Sequence, residues 1–165
     1  LHWRGQYPLE ETVEAFERLR SDGKIGRWGV SNFDVDDLEE LANPACATNQ
    51  VLYNLEERGV EFDLLPWCQQ QRMPLMAYCP IGQGGAMLAE PVLKQIATRH
   101  KVTPAQVSLA WILRQDGVIA IPKAVRPEHV QLNAQAAQLQ LDAGDLAALD
   151  QVFKAPQRKQ RLAMV

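Results

Sequence analysis

Apolar positions along the chain switch repeatedly between a helical and an extended period. Leu9, Val13, Phe16 and Leu19 recur at three- and four-residue intervals before Gly23, which predicts a helix closed by a glycine. Leu1-His2 reads as the tail of a strand, and Ile25 to Phe33 as a strand of its own. Asp34 is placed to cap a short helix carrying Leu38 and Leu41 on one face. Thr48 to Tyr53 is apolar and β-prone, while Glu61 to Gln71 has helical spacing interrupted by Pro66. Pro74 precedes a short buried strand, Leu75 to Cys79, and the glycine-rich IGQGGAM that follows reads as a loop. Pro91 to His100 is helical. Thr103-Pro104-Ala105-Gln106 carries a cap, a first-turn proline and a capping-box glutamine, opening a helix with Val107, Ala110, Trp111 and Leu113. Val118 to Ile121 is a short apolar strand, and helices over Pro127 to Gln138 and Asp142 to Phe153 follow. The last has Asp142 and Asp145 at capping-box spacing.

Continuous apolar strands separated by helices predict a parallel sheet covered by helices, an α/β fold. A doubly wound sheet calls for G-x-G-x-x-G opening its first helix, and GQGG in IGQGGAM has the wrong spacing after the wrong strand. A (β/α)8 barrel suits the order better, although it takes eight strands and typically about 250 residues. The chain has 165 residues in which about five strands are readable, one domain with no linker or low-complexity segment.

Composition narrows the partners. The formal net charge of −3 argues against a general nucleic-acid or anionic-membrane surface. Arg158, Lys159 and Arg161 read as a solvated basic tail. No run of about 18 apolar residues predicts a membrane span, and no charged-then-apolar segment predicts a signal peptide. Cys46, Cys68 and Cys79 are odd in number and widely spaced, which suggests no disulfide framework and no zinc knuckle. His2, His100 and His129 lack the spacing of a metal site. A reduced, cytoplasmic protein is expected.

Barrel chemistry sits at the C-terminal ends of strands. Those ends here read LHW, GRWGVSNF, ATNQVLYN, MAYCPIGQGG and VIAIPKA. In this order they resemble the aldo-keto reductases, NADPH-dependent (β/α)8 oxidoreductases. GKIGRWGVSNF is similar to that family's signature around its fifth strand, and the later segments are similar to its sixth, seventh and eighth strand regions. The resemblance covers essentially the whole chain and is nearest to small bacterial members that reduce aldehydes such as methylglyoxal. It implies an incomplete barrel, from the end of strand four through strand eight and the C-terminal helices.

The resemblance also implies roles. His2 corresponds to the histidine that hydrogen-bonds the reacting carbonyl oxygen, and Trp3 to a wall of the substrate pocket. Ser31, Asn32 and Gln50 correspond to residues holding the nicotinamide carboxamide, a group with both donor and acceptor. Tyr78 corresponds to the aromatic stacked under the nicotinamide ring. Cys79, Ile81, Gly82 and Gln83 fall in the cofactor region, the last three on the loop over the pyrophosphate. Lys123 corresponds to the residue pairing with the adenosine 2′-phosphate, with Arg126 and His129 adding charge and Asn133 facing the adenine.

Departures bear on these roles. Cys79 and Ala124 stand where the family commonly has Ser, His129 where many members have Arg, and Leu132 where an acidic residue is common. NADPH over NADH is therefore left open. No residue corresponds to the family's catalytic Tyr, Lys and Asp, and Tyr7 reads as a loop aromatic packed on the helix after it. Two expectations stand together: a reductase of small aldehydes or ketones whose general acid lies elsewhere, or a non-catalytic half-barrel that binds nucleotide. In the second, open strand edges favour association with another chain.

Overall fold

The computed structural model describes all residues 1–165. Helix α1 (Leu9–Ser21) has Glu10 and Glu11 in its first turn and Arg18 and Arg20 in its last, the order that complements the helix dipole. It closes as a Schellman motif: Gly23 N–H donates to Arg20 O at 3.0 Å and Lys24 N–H to Leu19 O at 2.9 Å. Leu9 is buried, and Phe16 stacks on Trp28 with ring centroids 5.3 Å apart.

Strand β1 (Trp28–Ser31) is shorter than the stretch Ile25 to Phe33 predicts. Ile25 N–H still closes α1, and Asn32 turns left-handed at φ 60°, so both ends of the apolar run leave the ladder. Helix α2 (Val35–Leu41) begins on Asp34 in a capping box with Asp37. Strand β2 (Cys46–Leu52) starts two residues earlier than expected and bulges against β1 between the pairs Trp28↔Cys46 and Val30↔Asn49. Gly29 lies beside that irregularity, where a Cβ would stand 2.6 Å from Thr48 O.

Of the single helix expected over 61–71, a 3₁₀ turn (Gly59–Glu61) and helix α3 (Leu64–Gln70) form. Pro66 falls in the first turn of α3, where its missing N–H has no intrahelical partner to lose. Strand β3 (Leu75–Tyr78) follows. IGQGGAM is more ordered than a loop: Pro80–Gln83 is a short strand, β4, and Ala86–Ala89 a helical turn, α4. The reason is Met87, which is 1% exposed and draws this stretch onto the core.

Helices α5 (Pro91–His100) and α6 (Pro104–Leu113) then form, α6 with the Thr103–Gln106 capping box its sequence predicts. Seven consecutive residues of α6, Gln106 to Ile112, are buried because α5, α7, β4 and β5 all pack on it. Strand β5 (Val118–Ala120) precedes α7 (Pro127–Gln135), a 3₁₀ turn (Ala136–Gln138) and α8 (Ala143–Val152), which is capped by the Asp142–Asp145 box.

The sheet order is β1-β2-β3-β5, parallel throughout. In register, Val30, Asn49 and Leu75 face the helices and are at most 3% exposed, as are Val51 and Ala77 two positions on. The row Ser31, Gln50, Met76, Ile119 faces the other way, and there Ile119 is 44% exposed. One face of the parallel sheet is thus covered by helices, while the other is only partly covered and opens to water at β5, where such sheets are normally covered on both. Leu1–His2 forms no strand, but the Leu1 nitrogen donates to Gly29 O at 2.7 Å, as a parallel neighbour of β1 would.

Candidate functional site

The C-terminal ends of β1, β2 and β3 bring four of the expected residues together. Asn32 N–H donates to Gln50 O at 2.9 Å, and the Ser31 hydroxyl donates to the same oxygen at 2.8 Å. Across β2, the Tyr78 hydroxyl donates to Asn32 Oδ1 at 3.1 Å. Desolvation raises the Tyr78 phenol above its ordinary value, so it stays protonated at neutral pH and keeps that bond. These contacts leave the Asn32 Nδ2 donor and the Gln50 side-chain amide free of protein partners. A donor and an acceptor beside a half-buried aromatic ring fit a planar carboxamide.

Two further residues hold this corner in shape, and neither belongs to the expected set. Asn49, with no exposed surface, donates through Nδ2 to Phe33 O at 2.8 Å and accepts from Phe33 N–H at 3.4 Å. Asn54 donates to Cys79 O at 3.0 Å, the same oxygen that accepts from Gly82 N–H at 3.0 Å. Both lie in ATNQVLYN, where an asparagine interrupting a buried apolar run is the available signal.

Cys79 sits at φ 47° and Gly82 at φ 61°, so the chain turns away from β3 and runs through β4 toward α4. Ile81 packs its side chain against the core, which leaves its backbone rather than its side chain for a ligand. Gln83 and the two glycines after it are exposed.

A second group gathers where the chain leaves β5. Lys123 and Arg126 are exposed and form no ion pair, and Arg126 donates to His129 Nε2 one helical turn on. Beside them a cleft of about 390 Å³ lies between the β5 exit and α7, lined by Pro122, Ala124, Val130 and Asn133 among others. Unpaired cations next to an apolar slot with one amide suit a phosphorylated nucleoside.

His2 and Trp3 stand at the other end of the sheet, their rings 5.2 Å apart. The Leu1–Gly29 bond sets His2 level with the Ser31–Asn32 end of β1. His2 is exposed and Trp3 is 45% exposed. Tyr7 departs from expectation: it is 79% exposed rather than packed on α1, because Pro8 directs the chain into the helix and Leu9 fills the core position. Lys159 departs too. Rather than free in a solvated tail, its ammonium lies 3.2 Å from Asp34 and 2.9 Å from Asp63.

The family model of the aldo/keto reductase family matches residues 1–154. Methylglyoxal reductase YeaE of Escherichia coli (strain K12) is 50% identical over 173 residues, covering 100% of this chain and 61% of that protein. Glyoxal reductase of Bacillus subtilis (strain 168) is 38% identical, over 93% of this chain and 55% of its own length. Among solved structures, an aldo/keto reductase from Klebsiella pneumoniae in complex with NADP and acetate superposes with a TM-score of 0.97 at 51% identity. That match covers 100% of this chain and 61% of that one. The chain spans about three fifths of the length of these relatives or somewhat less. Its parallel α/β fold and its match over residues 1–154 together mean that the chain belongs to the aldo/keto reductase family.

Proposed function

We propose that these residues are the cofactor-binding part of an NADPH-dependent reductase of small aldehydes or ketones, built as a (β/α)8 barrel from the end of strand four onward. The observation that carries this reading is the Tyr78–Asn32 hydrogen bond, which joins the ends of β3 and β1 over Gln50. When bound, the dinucleotide supplies the hydride. Tyr78 offers its ring face to the nicotinamide, while Asn32 Nδ2 and the Gln50 amide hold the carboxamide and so select which face meets substrate. The Ser31 hydroxyl oxygen remains able to accept a bond from the same group. Backbone at Ile81, Gly82 and Gln83, beside the half-buried Cys79, approaches the pyrophosphate. Lys123 and Arg126 take the 2′-phosphate, His129 steadies the Arg126 guanidinium through Nε2, and Asn133 meets the adenine.

The His2 imidazole N–H donates to the substrate carbonyl oxygen as charge develops there, with Trp3 beside it as a wall. In this reading the proton donor, a Tyr with its Lys and Asp partners, belongs to the barrel's first strands, outside these 165 residues. Relatives named for methylglyoxal and glyoxal reduction support a small aldehyde as substrate.

Titration of the purified chain with NADPH, followed by nicotinamide fluorescence, tests the assignment. Saturable enhancement is expected, lost on Asn32→Ala, with Lys123→Met weakening NADPH more than NADH. An unsubstituted chain that never saturates would sink the reading.

A second reading is favoured by the open β5 end of the sheet, where Ile119 and Ile121 are 44% and 37% exposed. There the chain is a non-catalytic half-barrel that associates through its open face and strand edges, with itself or with a chain supplying further strands. Light scattering of the purified chain separates the two: a monodisperse monomer argues against self-association.

A further inference from the structure

Two segments without helix or strand flank the strand ends, residues 1–7 and 154–165, and both are tied to α2. Arg4 pairs with Asp37 at 2.8 Å and also with Glu40. Lys159 lies between Asp34, the cap of α2, and Asp63, which directly precedes α3.

The path between these anchors crosses the site. Gln160 comes against Gly59, and Leu162 packs on the core. Leu52, at the end of β2 on the face away from the helices, is only 5% exposed beneath residues 160–163. The Val165 backbone amide then approaches the Tyr78 hydroxyl. Residues 154–165 are a cover over the β2–β3 end of the site, as residues 1–7 carry His2 and Trp3 to its β1 end.

We propose that Arg4, through the α2 carboxylates Asp37 and Glu40, and Lys159, through Asp34 and Asp63 at the starts of α2 and α3, are positioning residues that set these two segments over the strand ends. A lone exposed ion pair contributes little, but each cation here answers two carboxylates. Removing Lys159 leaves Asp34 and Asp63 facing one another, which drives the starts of α2 and α3 apart and frees the cover. Removing Arg4 frees the segment bearing His2. The functional meaning rests on the cofactor reading above, whereas the mechanical claim does not.

Backbone 15N relaxation of the full 165-residue chain tests it. Lys159→Met should lower order parameters in residues 154–165 below about 0.6 while leaving 1–7 unchanged, and Arg4→Met should do the reverse. Lys159→Arg should restore the order, and about 1 M NaCl should reproduce the Met variants in the unsubstituted chain, since the screening length falls to about 3 Å. With NADPH bound, Lys159→Met should raise acrylamide quenching of the nicotinamide emission severalfold. Unchanged order in 154–165, no rescue by Arg, or equal loosening throughout α2 would overturn the proposal. A chain that binds no NADPH sinks the cofactor reading alone, because the relaxation pattern needs no ligand.

Discussion

At Gly29, side-chain volume decides whether β1 and β2 can pair. A Cβ there meets Thr48 O at 2.6 Å and Thr48 Cγ2 at 2.8 Å, and a strand carbonyl cannot yield. Gly29→Ala is expected to cost about 2–3 kcal/mol, as overpacking of a close-packed interior does, read from the urea midpoint. Cys68 shows the opposite constraint, a thiol with no exposed surface whose pKa burial pushes from 9.0 up to about 12. The unfolded thiol loses its proton first, so this contribution is complete below pH 9 and is lost as pH rises from 9 toward 12. Urea midpoints should therefore fall across that window, less steeply in Cys68→Val, and the native thiol should resist iodoacetamide at pH 8. A Cys68→Val profile as steep as that of the unsubstituted chain would contradict this account.

Among the elements, α6 and α8 depend on features separated very differently along the chain. The α6 start is local: Thr103 accepts from Gln106 N–H at 3.3 Å, and Gln106 Oε1 accepts from Thr103 N–H at 3.0 Å. Thr103→Ala should cost about 1 kcal/mol, measured by denaturant unfolding. The seating of α8 is not local. Arg58, 6% exposed, donates to both Glu61 oxygens, to Asp150 on α8 and to Phe153 O, and lies over the Trp111 ring of α6 at 5.0 Å. Glu61 also accepts from the Tyr53 hydroxyl at 2.8 Å. Arg58→Met should lower stability by about 2–4 kcal/mol, since it leaves the largely buried Glu61 carboxylate without its cation and strands the buried Phe153 carbonyl. A midpoint shift no larger than that of Thr103→Ala would show that the network holds little.

Across the whole molecule, the covered and uncovered faces of one sheet carry different duties. The helix-facing row supplies stability through Val51, Leu75 and Ala77, all without exposed surface. The opposite row carries the polar groups of the candidate site, Ser31 and Gln50, and, at Ile119, an apolar surface open to water. Changing Ile119 to Lys should leave folding nearly intact, because its side chain already reaches water, yet reduce any concentration-dependent association seen by light scattering. Unaltered association would move the contact to the strand edges. No helix is long and apolar enough to cross a membrane.

Features encoded within a few residues were legible without coordinates. Capping at Asp34, Thr103 and Asp142, the glycine closing α1, and the four sheet strands all follow from short-range spacing and side-chain chemistry. The resemblance of GRWGVSNF, ATNQVLYN and MAYCPIGQGG to one family further named Ser31, Asn32, Gln50 and Tyr78 as a group. Only the tertiary structure decided that Tyr78 donates to Asn32, that Asn49 and Asn54 brace the corner, and that Lys159 sits between two carboxylates. Periodicity reports which face of an element is apolar; it says nothing of which distant group meets that face. Arg58 and Asp150 stand 92 positions apart, and no local pattern in either segment records the other. Such pairings arise when helices and strands dock, because burial and charge compensation act on distance in space rather than along the chain.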